Sequence, residues 1–180
     1  MRITKVTTKG GDGGQTSLGN GQRVSKNHLR IHAMGAVDKL NSVIGWTRSI
    51  VQSSIKDDLE KIQQDLFNLG GELAVSGGDQ ELLKKTRLEW LEIESETMNK
   101  ELPPLKEFIL PGGSELSSRI HIARTECRDT ERTLVALGEV ETVPDLQRHY
   151  LNRLSDYLFI LARKVKNDEG STEIPWDYNE

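Results

Sequence analysis

Apolar side chains in this chain return every three to four residues, and nowhere do they settle into strict alternation. Leu146, Tyr150, Leu154, Tyr157, Leu161 and Val165 share one face of a 3.6-residue helix, and Phe159 with Ile160 widens that face. The same period links Leu116, Ile120, Ala123, Cys127, Leu134 and Leu137, which predicts a helix over about 115–137 with Ser114 as its N-cap. Earlier come Ala33, Val37, Leu40, Ile44 and Val51, then Leu59, Ile62, Leu66, Leu69 and Leu73 over about 55–75, then Leu88, Leu91 and Met98 over 82–102. Ser54 with Asp57 three residues on resembles a cap. Gly77-Gly78-Asp79 and Pro103-Pro104 separate the stretches, and Pro144 stands where a first-turn proline belongs. Five helices with short connections predict an all-α, five-helix antiparallel bundle. The expected organisation is an extended glycine-rich segment at 1–27, a helical bundle at 28–167 and a mobile acidic tail at 168–180.

Composition narrows the partners. Net charge is −4, which speaks against nucleic acid as a ligand, although basic groups that cluster locally can still hold a small anion. The single cysteine, Cys127, excludes an internal disulfide and fits a reducing compartment. No stretch approaches the roughly 20 apolar residues of a membrane span, and the opening residues lack the apolar core of a signal peptide. A cytoplasmic protein without a membrane partner is expected.

Three polar constellations stand out. Arg124, Arg128, Glu131 and Arg132 fall at spacings that put three guanidinium groups in one column of the fourth helix, about 6 Å apart per step. Such a column is either a solvated face, salted by Glu126 and Asp129, or a surface for a polyanion, since arginine forks match phosphate oxygens. Composition does not separate the two. The fifth helix adds a polar stripe of Asn152, Ser155, Asp156 and Arg163, and uncharged groups there point to specific hydrogen bonds. The first helix offers Asp38, Asn41, Ser42 and Gly45, small or polar types that allow another helix to approach, from this chain or a second subunit.

The segment 1–27 holds six of the sixteen glycines, four of them in the run Thr7-Thr8-Lys9-Gly10-Gly11-Asp12-Gly13-Gly14-Gln15-Thr16-Ser17, with a short extended piece expected at 3–6. Glycines let backbone amides converge on an anion, but the run is neither a Walker A loop nor a dinucleotide fingerprint, and by itself reads better as a linker. No metal site is expected. His28 and His32 alone have i, i+4 spacing, and no Glu-x-x-His pair exists. No catalytic triad is legible, and His121, His149 and Cys127 read as structural.

Taken together, the segments resemble one family. Thr8-Lys9-Gly10-Gly11-Asp12-Gly13-Gly14 with Thr16 and Lys26, the run Ala36-Val37-Asp38-Lys39-Leu40-Asn41-Ser42-Val43-Ile44-Gly45, and Leu110-Pro111-Gly112-Gly113-Ser114 are similar to its loop and first-helix signatures. Ala123-Arg124-Thr125-Glu126-Cys127-Arg128 through Glu131-Arg132, and above all Leu151-Asn152-Arg153-Leu154-Ser155-Asp156-Tyr157-Leu158-Phe159, are similar to its closing helices. The family is that of the PduO-type corrinoid adenosyltransferases.

The resemblance implies a homotrimer with sites between subunits. It implies transfer of the 5′-deoxyadenosyl group of ATP to cob(I)alamin, giving adenosylcobalamin and inorganic triphosphate, with four-coordinate cob(II)alamin as the species reduced. An ATP or adenosylcobalamin sensor or delivery protein on the same fold is the alternative. By position, Thr8, Lys9, Gly10, Gly11, Thr16 and Lys26 are expected to hold ATP from the loop, and Arg128, Glu131, Arg132 and Asn152 from the helices. Arg128, Arg132 and Phe108 carry the catalytic roles, Phe108 by occupying the lower face of the corrin, and Ser155 lies near the corrinoid. Asp38 and Arg124 correspond to a pair that joins subunits. Implied partners are ATP with Mg²⁺, cobalamin, a flavin-type reductase and an adenosylcobalamin-dependent mutase or dehydratase. One departure matters: the family usually has Gly-Asp-Lys-Gly where this chain has Gly11-Asp12-Gly13-Gly14, so a basic group beside the nucleotide is missing.

Overall fold

A computed structural model describes residues 7, 9–75 and 81–178. Its elements are β1 (Gln15–Ser17), β2 (Arg23–Ser25), α1 (Leu29–Arg48), α2 (Ile55–Ala74), α3 (Lys85–Lys100), α4 (Glu115–Gly138) and α5 (Asp145–Asp168). The extended piece expected at 3–6, the Gly77-Gly78-Asp79 breaker and Thr8 lie outside the described residues. The all-α class follows from the five helices, none of which is long and apolar enough to cross a membrane among the described residues.

Each helix buries the stripe its sequence marked. On α2, Leu59, Ile62, Leu66, Leu69 and Leu73 are all buried, and each such side chain contributes about 1.5–3 kcal/mol relative to exposure. Ser114 caps α4, accepting from the Ser117 amide at 3.2 Å. The Ser54 side chain makes no such bond at the start of α2, and Pro144 is the cap of α5 rather than its first helical residue. Val51 falls beyond α1. The third helix starts at Lys85, three residues later than expected, because Leu83 is buried and its amide is taken by Glu72 Oε1 at 2.7 Å.

Side-chain bonds fix the directions. Arg30 at the start of α1 reaches the Leu73 carbonyl at the end of α2 (3.0 Å) and ion-pairs with Glu141 just past α4. Ser117 near the start of α4 donates to the Ala162 carbonyl near the end of α5 at 3.1 Å. Thus α1 runs antiparallel to α2 and α4, and α4 antiparallel to α5. Consecutive helices alternate in direction throughout, since Glu72 near the end of α2 takes the Leu83 amide before α3, and Asp65, two turns back, takes Arg87 in the first turn of α3. Arg153 pairs with Glu92 and Lys164 with Glu101, so α3 runs parallel to α5. The long connection over 101–114 then carries the chain back to the start of α4, and it bears Phe108.

Asn41 and Gly45 face this chain's own α2. Asn41 exchanges bonds with the carbonyl and amide of Gln63 (3.3 and 3.2 Å), and a Cβ on Gly45 would lie 2.9 Å from Gln63 Nε2. The close helix approach is intramolecular. Between α2, α3 and α5, Asp65 accepts from Arg87 Nε (2.9 Å) and the Tyr150 hydroxyl (2.8 Å). Burial raises the Asp65 pKa, and those two donors oppose the shift.

Sequence reading missed a hairpin. β1 and β2 pair antiparallel, with Thr16 opposite Val24. Leu18 and Val24 are buried, and the Gly19 amide donates to the Ala74 carbonyl, docking the glycine-rich segment on the end of α2. Strands of three residues are too short to display an alternation.

Candidate functional site

The arginine column of α4 separates into three environments. Arg124 is half-buried, its Nε has no hydrogen-bond partner, and its guanidinium lies 5.9 Å from the centre of the Phe159 ring. Burial first, and the Arg128 charge second, lower its pKa. Arg128, one turn on, is exposed and makes no ion pair among the described residues. Arg132 is exposed and paired with Asp129 at 2.8 Å. Beside them the Asn152 amide of α5 donates to Glu131 Oε1 at 3.1 Å. Arg128, Glu131, Arg132 and Asn152 therefore form one wet, polar surface across α4 and α5.

Phe108 stands 80% exposed at the far end of that surface. With Leu105, Ile109, Pro111, Phe159, His121 and Arg124 it lines a cavity of about 570 Å³. The walls are mostly apolar, as in pockets that take large organic ligands. His121 is 5% exposed, its Nδ1 has no partner, and burial beside Arg124 and Lys166 pushes its pKa down to about 4. It is a neutral wall of the cavity and not only a core residue. Ser155 is buried, and its hydroxyl is spent on the Asn152 carbonyl at 2.8 Å.

In the hairpin segment Lys9 takes a positive φ of 58°, and the Asp12 amide closes a turn on the Lys9 carbonyl at 3.3 Å. Lys26 folds over Gly11 so closely that a Cβ there would sit 3.1 Å from Nζ. A side chain at Gly11 would push that ammonium aside by a few tenths of an ångström. Arg23 Nη2 donates to the Gly10 carbonyl at 2.9 Å and Nη1 to Ser17 Oγ at 3.3 Å. Thr16 pairs within the hairpin. At Gly13 a Cβ would meet nothing within 4 Å, so the missing lysine is a lost charge and not a steric requirement.

The sequence profile of the cobalamin adenosyltransferase family matches residues 6–165. The chain belongs to that family. It is 47% identical over 177 residues to a cobalamin adenosyltransferase of Cupriavidus metallidurans, covering 97% of this chain and 95% of that one. A corrinoid adenosyltransferase of Bacillus subtilis is 40% identical over 96% of this chain and 92% of its own length. Among solved structures, a phenylalanine-to-alanine variant of a PduO-type ATP:corrinoid adenosyltransferase from Lactobacillus reuteri, complexed with cobalamin and ATP, superposes with a TM-score of 0.91 at 37% identity. That match covers 96% of this chain and 99% of the other.

One chain of this adenosyltransferase family member does not assemble all the expected residues. Glu131 meets Asn152, and Phe108 shares a cavity with Arg124, but among the described residues no hydrogen bond or ion pair joins Lys9, Lys26 or Arg23 to α4 or α5. Asp38 is exposed on α1 and makes no ion pair with Arg124 among the described residues. Arg23, His121 and Phe159 were missed as site residues by sequence reading. Phe159 alone lay within a matching motif; Arg23 and His121 carried no signal. Among the described residues no three His, Cys, Asp or Glu side chains gather as metal ligands.

Proposed function

We propose that this chain moves the 5′-deoxyadenosyl group of ATP onto cob(I)alamin, working as a homotrimer with each site shared between neighbours. The observation that carries the reading is the adjacency on α4 and α5 of an exposed arginine surface, with Arg128 free of ion pairs among the described residues, and a large, mostly apolar cavity lined by Phe108, Arg124 and Phe159. A triphosphate needs the first and a corrin ring the second. Family membership and relatives that bind both ligands support it.

In the reaction the cobalt(I) electron pair attacks C5′ of ATP. The Co–C5′ bond forms, the C5′–O5′ bond breaks, and triphosphate leaves with those electrons; no protein base is required. The chain's work is charge and position. Arg128 and Arg132 face the departing triphosphate, Glu131 and Asn152, bonded to each other, hold ATP beside them, and Lys9 and Lys26 of a neighbour close on it with Thr8, Gly10, Gly11 and Thr16. Donors set in place before the charge develops cost no reorganisation at the moment of reaction. Magnesium fits as an ion carried by the triphosphate, held by its oxygens and water.

Cobalt(I) must first arise from cobalt(II) by one electron from a reductant such as a dihydroflavin. Phe108 beneath the corrin displaces the lower axial ligand, and removing a donor makes the reduced state easier to reach. Ser155 supports this surface from behind through its bond to the Asn152 backbone. The half-buried, unsatisfied Arg124 guanidinium calls for an anion, and the exposed Asp38 of an adjoining subunit supplies one.

The test is adenosylcobalamin formation by the purified protein under reducing conditions, followed spectroscopically with and without ATP. ATP-dependent product is expected. Tight binding of ATP and cobalamin with no product would replace the enzyme with a sensor or delivery protein.

A further inference from the structure

Arg163 lies on α5 outside every role described so far, yet its charge is 97% hidden, at 3% exposure. Its guanidinium is spent on two segments that wander away from the bundle. Nε and Nη2 donate to Glu173 Oε1 and Oε2 at 2.6 and 3.1 Å, and Nη2 also donates to the Pro103 carbonyl at 2.8 Å. Pro103 opens the connection that bears Phe108. Glu173 belongs to the tail after α5, which turns at Gly170 (φ 69°) and comes back across that connection.

Tail and connection then bond to each other. The Leu110 amide donates to the Ile174 carbonyl at 2.8 Å, and the Trp176 amide donates to the Phe108 carbonyl at 2.7 Å, bracketing the Ile109–Pro175 bridge. Among the described residues these are the only backbone hydrogen bonds that 104–111 makes. The Trp176 indole meets the Phe108 ring edge-on, centroids 6.4 Å apart. The tail expected to be mobile is therefore the scaffold of the loop that carries Phe108. Without it, the eight residues 104–111, seven of them exposed, would have to be ordered by nothing but their own turns.

We propose that Arg163 and Glu173 are positioning residues for Phe108: their buried ion pair fixes the tail, and the tail fixes the backbone that presents the ring to the lower face of the corrin. The inference rests on the role assigned to Phe108 above. A hidden guanidinium needs its acceptors, so the pair is set by burial in a way that an exposed pair is not. Arg163 touches neither substrate and acts only through the loop.

The test uses the full-length protein with Glu173→Ala as the lesion and Glu173→Gln as the conservative variant that keeps the shape and one acceptor. Adenosylation with ATP is timed from cob(II)alamin plus reductant and from pre-reduced cob(I)alamin, and the fraction of four-coordinate cob(II)alamin is read by electron paramagnetic resonance. Glu173→Ala is expected to slow the cob(II)alamin reaction about tenfold more than the cob(I)alamin reaction, with a matching loss of the four-coordinate signal. Glu173→Gln should recover part of both, and Phe108→Ala combined with Glu173→Ala should be no worse than Phe108→Ala alone, because both lesions act on one device. Equal slowing of both reactions, or none, overturns the clamp when Phe108→Ala itself shows the split. Absence of that split in Phe108→Ala, or of product from the unaltered protein, refutes the site reading and this inference together.

Discussion

Arg128→Ala isolates the proposed contact with triphosphate from everything that holds the fold. The side chain is exposed, it has no ion pair among the described residues, and its Cα sits on a helix whose buried stripe runs through Ile120, Ala123, Cys127, Leu134 and Leu137. Removing it should change stability by no more than about 0.5 kcal/mol, the usual range for a surface position. Its neighbours do not replace it: Arg132 has its own place on the triphosphate one turn on, and Arg124 is half-buried against Phe159. Losing one preorganised donor to a developing anion costs about 2.7–4 kcal/mol of transition-state stabilisation, or roughly 100- to 1,000-fold in rate. The assay is turnover of pre-reduced cob(I)alamin with saturating ATP, paired with far-ultraviolet circular dichroism and a melting curve. Arg128→Lys, which keeps the charge and loses the fork, should fall between. Near-unaltered turnover by Arg128→Ala would refute the assignment, as would a loss of activity matched by a loss of helicity.

Phe108→Ala should lose more activity from cob(II)alamin than from cob(I)alamin, by about tenfold or more, in paired rate measurements; equal losses would end the ligand-displacement role. Asp38→Ala should weaken subunit association, seen as a shift of mass in light scattering on dilution, and an unchanged assembly would argue against its pairing with Arg124. His121 should make stability depend on acid. Its folded-state pKa lies near 4, below the ordinary 6.5, so the unfolded chain takes up the proton first as pH falls, and stability should decline from about pH 6.5 towards 4. The groups that face it, Arg124 and Lys166 against Glu173, set that direction together with burial. Urea midpoints at pH 7, 5.5 and 4.5 should show the decline in the unaltered protein and a smaller one in His121→Gln.

Much of the candidate site was legible because its residues lie within one or two helices. The spacing of Arg128, Glu131 and Arg132 is a property of any α-helix, and Asn152 belongs to a run specific enough to identify by itself. What spacing could not tell was which arginine would be sunk and which free. The packing of Phe159 over Arg124 decides that, and Phe159 is 35 positions away in sequence. Gly11 was noted as loop-forming, yet only the structure shows the Lys26 ammonium lying on it. Arg23 had no periodic signal at all. It matters because a short hairpin brings it back to the Gly10 carbonyl.

The sequence by itself determined the helices and their buried faces, since a repeat of 3.6 residues is local and the apolar stripes of α2, α4 and α5 admit no other period. Direction and partnership are not local. A hydrophobic stripe does not name the helix it will meet, so the packing of α3 beside α5 was settled only when Arg153 met Glu92 and Lys164 met Glu101. The same holds for Gly45, whose small size invited a helix without saying which, and for Arg163, whose partners lie 60 residues before it and 10 after. Burial of a charge is decided by whatever packs around it, and that environment exists only once the chain has closed on itself.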